Sequence, residues 1–403
     1  MRRNLVVLGV LALVVGFASA ADRQEVPTPA PVAAQTGSSF TPVAPVRVLD
    51  TRNGIGRPGN SPVGGGSSVG VNLTGIVPAD AETVVLNVTG TNPTGATYVT
   101  VHPHGYERPN VSTLNLAPGE TRANAAVVFI GDNGVIDFFN NAGSAHLIAD
   151  LAGYYTQSGG SGYNATTPTR MFDTRTSGTG RLGTQGTTTV TFNNVPLGTT
   201  AVTLNLTGVD ADYFTYLTAY PTGQPRPLAS SLNLVPNQAV PNQVTVALGA
   251  NRSVTFYNDN SSTNLVVDLM GFYGPSETAL FYPTFPTRFL DTRLPEDAPG
   301  LNGGEYFNLL LDPAFLEPGT NALAFNVTGT NTTGNTYLAV WPSGQALPGA
   351  SNLNLSPGQT APNTAAVGLG GAVEQGTWYP AVSVYNNAGY VDVIMDVFGF
   401  FAS

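Results

Sequence analysis

Pro45-Val-Arg-Val-Leu-Asp-Thr-Arg52 returns as Pro168-Thr-Arg-Met-Phe-Asp-Thr-Arg175 and again as Pro286-Thr-Arg-Phe-Leu-Asp-Thr-Arg293. The same further short motifs, here called anchors, follow each block in the same order, so the chain contains three copies of one module. Two of these anchors are asparagines that keep one fixed interval: Asn87 and Asn124, Asn205 and Asn242, Asn326 and Asn363. An interior of constant length predicts that the three copies share one fold.

The interior of each copy has the pattern of β-strands. Val84, Leu86 and Val88 are apolar at every second position, which is typical of a strand with one buried face. No stretch shows a sustained helical period, and turn sequences such as Asp132-Asn-Gly134 separate the apolar runs. We therefore predict an all-β protein of three tandem β-sandwich or jelly-roll-like domains with about eight strands each. A small closed barrel is the alternative.

The amino-terminal segment has the features of a secretory signal peptide. Arg2 and Arg3 precede an apolar run, and Ala18-Ser-Ala20 provides a cleavage site. The apolar run is shorter than the roughly 20 residues that a membrane-spanning helix needs, so we expect secretion without membrane insertion. A repeat of about 120 residues matches the size of an independent domain. The predicted organisation is a signal peptide at 1–20, a Pro/Ala-rich spacer at 21–39, and β-sandwich copies 1, 2 and 3 at 40–156, 163–274 and 281–403.

Composition excludes several classes of partner. The formal net charge is −10, which disfavours binding to nucleic acid or to an anionic membrane through bulk electrostatics. Charged residues make up 10% of the chain, against about 25% in a typical protein, so Thr, Asn, Ser, Gln and Gly must solvate the surface. Cysteine is absent, so each copy must be stable without disulfides.

The recurring Arg and Asp residues form the first candidate site. They are Arg47, Asp50, Arg52 and Asp150 in copy 1, Arg170, Asp173, Arg175 and Asp268 in copy 2, and Arg288, Asp291, Arg293 and Asp396 in copy 3. Such a set could bind a cation or perform acid/base chemistry. The last Asp of each copy shares a strand face with an apolar residue, so a partly buried carboxylate there needs a cation. We favour a structural clasp between the first and last strands, because ion pairs often perturb pKa values without catalysis.

A recurring aromatic stripe is the candidate ligand site. It comprises Tyr98 and His102, Tyr216 and Tyr220, and Tyr337 and Trp341. Rings four residues apart on one strand face lie about 13 Å apart. If that face is exposed, the stripe is a platform for a sugar or another chain; if loops cover it, it is a second small core.

We expect no metal and no cofactor. The three histidines, His102, His104 and His146, all lie in copy 1, which argues against a repeated zinc site. Acidic pairs such as Asp210 with Asp212 and Glu296 with Asp297 are too sparse for a calcium loop.

The ordered motifs Pro-x-Arg-x-Leu-Asp-Thr-Arg, Leu-Asn-Val-Thr-Gly, Ser-x-Leu-Asn-Leu and Asp-x-x-Gly-Tyr-Tyr resemble a tandem module of secreted proteins from actinobacteria and related bacteria. The similarity covers all three copies, with departures such as Phe325, Asn237 and a longer segment at 370–378. Such modules occur alone in tandem or beside secreted hydrolase domains, so the resemblance implies an accessory role.

These observations predict a non-catalytic, secreted, cell-surface protein for adhesion or glycan binding. The expected partners are extracellular polysaccharide, the cell wall or other surface proteins. The alternative is a secreted carbohydrate-active hydrolase that uses the recurring Asp residues, for which Asp50 and Asp150 would have to approach each other free of Arg.

Overall fold

A computed structural model describes residues 2–7, 36–294 and 298–403. The predicted cleavage site, most of the predicted spacer, and Glu296 and Asp297 lie outside the described residues. The structure is almost entirely β, with 60% strand and 2% helix, which confirms the all-β prediction. No helix among the described residues is long and apolar enough to cross a membrane.

The strands follow one another in three similar series after an amino-terminal strand β1 (Arg2–Val7). Copy 1 contains β2 (Ser39–Asp50), β3 (Val63–Gly64), β4 (Ser67–Asn72), β5 (Ala81–Thr91), β6 (Thr97–Pro103), β7 (Leu114–Leu116), β8 (Thr121–Phe129), β9 (Val135–Asn140) and β10 (Ser144–Thr156). Copy 2 contains β11 (Gly162–Asp173), β12 (Thr187–Thr191), β13 (Ala201–Val209), β14 (Thr215–Pro221), β15 (Leu232–Leu234), β16 (Ala239–Ala247), β17 (Ser253–Asn258) and β18 (Asn264–Gly274). Copy 3 contains β19 (Leu280–Asp291), β20 (Leu301–Asn302), β21 (Tyr306–Leu311), β22 (Thr320–Thr330), β23 (Thr336–Pro342), β24 (Leu353–Leu355), β25 (Ala361–Gly368), β26 (Gly370–Glu374), β27 (Thr377–Asn386) and β28 (Tyr390–Ala402). Short 3₁₀ turns occupy Asp132–Gly134, Ala250–Arg252 and Pro313–Phe315.

Each copy pairs a large sheet with a small one. In copy 1 the large sheet has the order β2-β10-β5-β8 and the small sheet has the order β4-β9-β6-β7. The corresponding strands of copies 2 and 3 keep the same two orders. This alternation of eight main strands between two antiparallel sheets is the jelly-roll arrangement. The closed-barrel alternative is therefore wrong, because the large and small sheets of each copy remain separate.

The two sheets of a copy enclose its hydrophobic core. In β5 the side chains of Val84, Leu86 and Val88 point into this core, as their period-two spacing predicts. The cores of copies 2 and 3 are built in the same way, and Met270 of copy 2 joins the core of copy 3. Whether each copy folds independently stays a prediction.

The amino-terminal strand pairs with a strand that lies far away in the sequence. β1 pairs in parallel with β21, so that Arg2 lies opposite Tyr306 and Val7 opposite Leu311. β1 thereby forms one edge of the small sheet of copy 3.

Six aromatic rings join the three copies. Each copy supplies one ring from the start of its first long strand and one from the end of its last: Phe40 and Tyr155, Tyr163 and Tyr273, Phe281 and Phe401. Within the copies the paired ring centroids are 5.1, 4.8 and 5.1 Å apart. Between copies, Phe40 lies 4.4 Å from Tyr273, Tyr163 lies 4.2 Å from Phe401, and Phe281 lies 4.6 Å from Tyr155. The rings thus form a closed cycle, here called the aromatic cycle, in which every copy touches both others.

The recurring asparagines cap the edge strands of neighbouring copies. Asn242 of copy 2 accepts a hydrogen bond from the backbone N–H of Ala125 in β8 (3.2 Å) and donates to Oδ1 of Asn87 (2.8 Å). Asn363 makes the same two contacts with Gln243 and Asn205. Asn124 of copy 1 accepts from the backbone N–H of Thr364 and donates to Oδ1 of Asn326, so each copy caps an edge strand of another. The strands β8, β16 and β25 are sheet edges whose free N–H groups would otherwise be buried without a partner.

Asn242→Ala should destabilise the whole chain. The substitution removes the acceptor for the N–H of Ala125 and the donor to Asn87, and each buried polar group left without a partner costs about 1–3 kcal/mol. We expect the free energy of unfolding to fall by about 3 kcal/mol. Chemical denaturation followed by circular dichroism measures this loss. Asn110→Ala, at an exposed asparagine, is the control and should unfold like the wild type; equal midpoints for the two variants would contradict the capping role.

Candidate functional site

The Arg and Asp residues of copy 1 form one connected ion-pair cluster. Arg47 donates from Nε and Nη2 to the two oxygens of Asp150 (2.6 and 3.1 Å) and from Nη1 to Asp50 (3.0 Å). Arg52 donates from its Nε and Nη2 to the two oxygens of Asp50 (2.9 and 2.7 Å). Both carboxylates are buried. Arg47 therefore joins the first strand of the copy to its last.

The same cluster recurs in the other two copies. Arg170 lies 2.5 Å from Asp268 and 3.0 Å from Asp173. Arg175 donates hydrogen bonds to both carboxylate oxygens of Asp173. In copy 3 Arg288 lies 2.9 Å from Asp396 and 3.1 Å from Asp291. Arg293 binds Asp291 at 2.7 and 2.5 Å. The structure thus brings all twelve residues of the proposed clasp together in three equivalent clusters.

The two carboxylates of each cluster have opposite pKa shifts. Burial alone would raise the pKa of Asp50, but the hydrogen bonds of Arg52 and the charges of Arg52 and Arg47 outweigh burial and lower this pKa. At Asp150 burial is the largest effect, so the pKa of this carboxyl is raised even though Arg47 lowers it in part. Copies 2 and 3 repeat the pattern: the pKa values of Asp173 and Asp291 are lowered and those of Asp268 and Asp396 are raised.

The cavity beside Asp150 is too small for a sugar. It has a volume of about 30 Å³ and lies between copies 1 and 2, with Asp150 and Asn87 on one side and Ser230 and Gln243 on the other. This volume accommodates one or two water molecules. In the described part of the chain, no group of three or more His, Cys, Asp or Glu side chains is placed to hold a metal ion.

Arg47→Ala should destabilise the protein more than Arg52→Ala. Loss of Arg47 leaves the buried Asp150 without its cation, which costs about 3–5 kcal/mol. Arg52 is 42% exposed, so Arg52→Ala should lower the melting temperature by a smaller amount. Thermal unfolding monitored at neutral pH measures both losses, and an unchanged melting temperature in either variant would count against the clasp.

The loss of stability caused by Arg47→Ala should depend on pH. Without Arg47 the pKa of Asp150 in the folded state rises further above its unfolded value of about 3.9. A raised folded-state pKa gives stability that is present below the unfolded value and is lost as the pH rises through the folded value. The gap in melting temperature between wild type and variant should therefore be largest near neutral pH and shrink toward about pH 4. A gap that widens on acidification would exclude this explanation.

Only part of the aromatic stripe is accessible. His102 and Trp341 are buried, with 7% and 4% of their surface exposed, so neither ring offers an exposed face to a ligand. Trp341 donates from its indole nitrogen to the backbone oxygen of Gln345 (3.0 Å). In copy 1 the loop between β6 and β7 covers the middle of the stripe, where Thr100 donates to the backbone oxygen of Val111 (2.7 Å). At His102 and Trp341 the structure therefore has the covered alternative and not the exposed platform.

Tyr98, Tyr216, Tyr220 and Tyr337 remain partly exposed. Three of them share one setting, here called the Tyr–Asn patch, in which the tyrosine lies directly opposite an asparagine of the next strand: Tyr98 with Asn115, Tyr216 with Asn233, and Tyr337 with Asn354. A second ring lies 6.3, 6.4 and 6.1 Å away, contributed by Phe139, Tyr257 and Tyr385. Each patch therefore combines a ring with an amide.

The patches differ in one neighbour. Arg108 lies 3.6 Å above the ring of Phe139, and Arg226 lies 3.8 Å above the ring of Tyr257. The corresponding residue of copy 3 is the exposed Leu347. Copies 1 and 2 thus place a guanidinium beside the patch, and copy 3 does not.

The Leu-Asn-Leu anchor recurs in the sequence, but its pairing with tyrosine was not predicted from the sequence. The signal was the constant interval between Tyr98 and Asn115, which recurs in the other copies and is the spacing of two strands joined by a loop. The exposed Trp378 of copy 3 carried no recurring signal, because its segment occurs once.

Comparisons with known proteins give no family. No family model and no curated protein matches the chain. Among solved structures, the chain overlaps with one described as the atomic structure of Sulfolobus Turreted Icosahedral Virus, at 11% identity, over 91% of this chain and 92% of that one, with a TM-score of 0.21. An archaeal virus protein described as having a triple jelly roll fold overlaps at 10% identity, over 91% and 90% of the two chains, with a TM-score of 0.20. The tandem CBM22-1-CBM22-2 domain of Paenibacillus barcinonensis Xyn10C overlaps at 11% identity, over 56% and 85%, with a TM-score of 0.18. Overlaps this weak carry no argument about function.

Proposed function

We propose that this chain is a non-catalytic, secreted protein that binds extracellular glycan through its three Tyr–Asn patches. The observation that carries the proposal is the recurrence of the same partly exposed tyrosine, paired with the same amide, on the small sheet of every copy. A tyrosine ring packs against the apolar face of a sugar, and an amide can both donate to and accept from its hydroxyl groups.

The way in which the copies are joined supports binding at several sites. The aromatic cycle and the asparagine caps hold each copy against both others, so the three patches keep a fixed geometry. Sites held in a fixed geometry reach a repeating polymer together without the entropy loss of ordering flexible linkers. Three weak patches could then give a large gain in avidity.

The Arg–Asp clusters support a non-catalytic role. A glycoside hydrolase of the usual kind needs one carboxyl group as an acid and a second as nucleophile or base. Asp50 and Asp150 are both buried and both accept two hydrogen bonds from an arginine. The same holds for the corresponding Asp pairs of copies 2 and 3, so these carboxylates are committed to ion pairs.

The test is retention of the full-length chain on insoluble cellulose, xylan, chitin and purified cell walls. The triple variant Tyr98→Ala/Tyr216→Ala/Tyr337→Ala should lose most of the retention that the wild type shows on at least one of these materials, by about tenfold or more, because each aromatic contact is worth about 0.5–1.5 kcal/mol. Circular dichroism checks that the triple variant is folded.

The matched control is Tyr213→Ala/Phe214→Ala. These two rings are each 70% exposed and lie outside the patches. We expect this control to be retained like the wild type. A wild-type chain that none of the four materials retains would refute the proposal, and equal loss in both variants would refute the assignment to the patches.

A further inference from the structure

Copy 3 contains a hairpin that the other copies lack. Copy 3 inserts β26 between β25 and β27, and β27 is longer than its counterparts β9 and β17; at the same place copies 1 and 2 have only the 3₁₀ turns at Asp132–Gly134 and Ala250–Arg252. The strand register places Glu374 opposite Thr377, so the loop consists of two residues, Gln375 and Gly376. Both have positive φ angles, 49° and 84°, as a tight two-residue hairpin turn requires. The hairpin is therefore a defined element and not a long loop.

The hairpin holds an exposed indole in place. Trp378 is 60% exposed and lies directly opposite Val373, which is 56% exposed. One side of the indole packs against Gly371, where a Cβ atom would come within 2.2 Å of the ring nitrogen. The N–H of Gly371 donates to the backbone oxygen of Ser343 (3.1 Å), which ties β26 to the end of β23. The ring thus rests on a fixed backbone while most of its surface faces solvent.

We propose that Trp378 is a binding site for a single pyranose ring of a glycan, present in copy 3 alone. The proposal rests on the glycan-binding function proposed above and adds to it a site distinct from the Tyr–Asn patches. The π face of an indole carries partial negative charge, which attracts the C–H bonds on the apolar face of a sugar. Gln375 in the turn supplies an exposed amide that can donate to and accept from sugar hydroxyls, whereas Glu374 and Thr377 lie on the opposite face of the hairpin from Trp378.

Other occupants fit this hairpin less well. A stable protein interface buries about 800 Å² on each partner, far more than the two exposed side chains Val373 and Trp378 provide. An anionic membrane surface attracts Lys and Arg, and the segment from Gly370 to Trp378 contains neither. An exposed aromatic ring held against the backbone of Gly371, with an exposed amide at the neighbouring turn, matches a sugar best.

The two tryptophans of the chain make the site directly observable. Trp341 is buried and Trp378 is exposed, so acrylamide should quench mainly the fluorescence of Trp378. The full-length chain is titrated with β-1,4-linked hexasaccharides of glucose, xylose and N-acetylglucosamine, one at a time. At least one of them should shift the emission to the blue and protect it from acrylamide.

Variants separate this site from the patches. Trp378→Ala should weaken binding of that hexasaccharide by about five- to tenfold in calorimetric titration, and Trp378→Phe, which keeps a flat ring on Gly371, should weaken it less. Tyr213→Ala/Phe214→Ala is the control at exposed rings elsewhere and should bind normally. Melting temperatures show whether each variant is folded.

The outcomes distinguish the two proposals. Binding by the wild type that Trp378→Ala retains in full would overturn the Trp378 site and leave the glycan-binding function standing. Retention on polysaccharide with no change in fluorescence on saturation would also overturn the Trp378 site alone. Absence of any binding by the wild type, on insoluble and soluble glycans alike, would overturn both.

Discussion

The aromatic cycle is the constraint on which the arrangement of the three copies depends. Each copy contributes a ring from its first strand and a ring from its last, and the between-copy centroid distances of 4.2–4.6 Å are as short as those within a copy. Buried aromatic pairs add about 0.5–1.5 kcal/mol each beyond the area that they bury. Burial also raises the pKa of the Tyr155, Tyr163 and Tyr273 hydroxyls, so these groups stay neutral at the centre of the assembly. Because the cycle is closed, no copy can leave its place without exposing rings of both others.

The asparagine caps supply hydrogen-bond acceptors for the sheet edges that this arrangement of the copies buries. Bringing β8, β16 and β25 together buries three sheet edges, and buried edge N–H groups need acceptors. A side-chain amide can accept from the edge strand of a neighbouring copy and at the same time donate to an asparagine of that copy, which a hydroxyl or a carboxylate at the same place does less well. Asn124, Asn242 and Asn363 each do both. The caps therefore replace strand pairing between copies with a specific contact that cannot slip in register.

These contacts occupy the interior in every copy, and the residues that differ between the copies lie on the surface. The Arg–Asp clusters, the cores and the asparagine caps are the same three times, whereas the neighbours of the Tyr–Asn patches change from Arg108 and Arg226 to Leu347. The hairpin with Trp378 occurs once. A common frame that carries different surface groups can tolerate such changes, because substitutions at exposed positions rarely alter stability by more than about 0.5 kcal/mol.

The sequence by itself determined the all-β class, the strand faces and the threefold repetition, because period-two alternation and constant intervals are local properties of the chain. It also indicated which residues recur, including Asn124 and the Arg and Asp residues of the clusters. It could not show that Asn242 caps an edge of copy 1, since nothing local distinguishes an edge within a copy from an edge between copies. It could not show either that Trp341 is buried and Trp378 exposed, because both are tryptophans in strands. Only the tertiary structure decides which loop covers a strand face, since burial depends on packing between residues far apart in the chain.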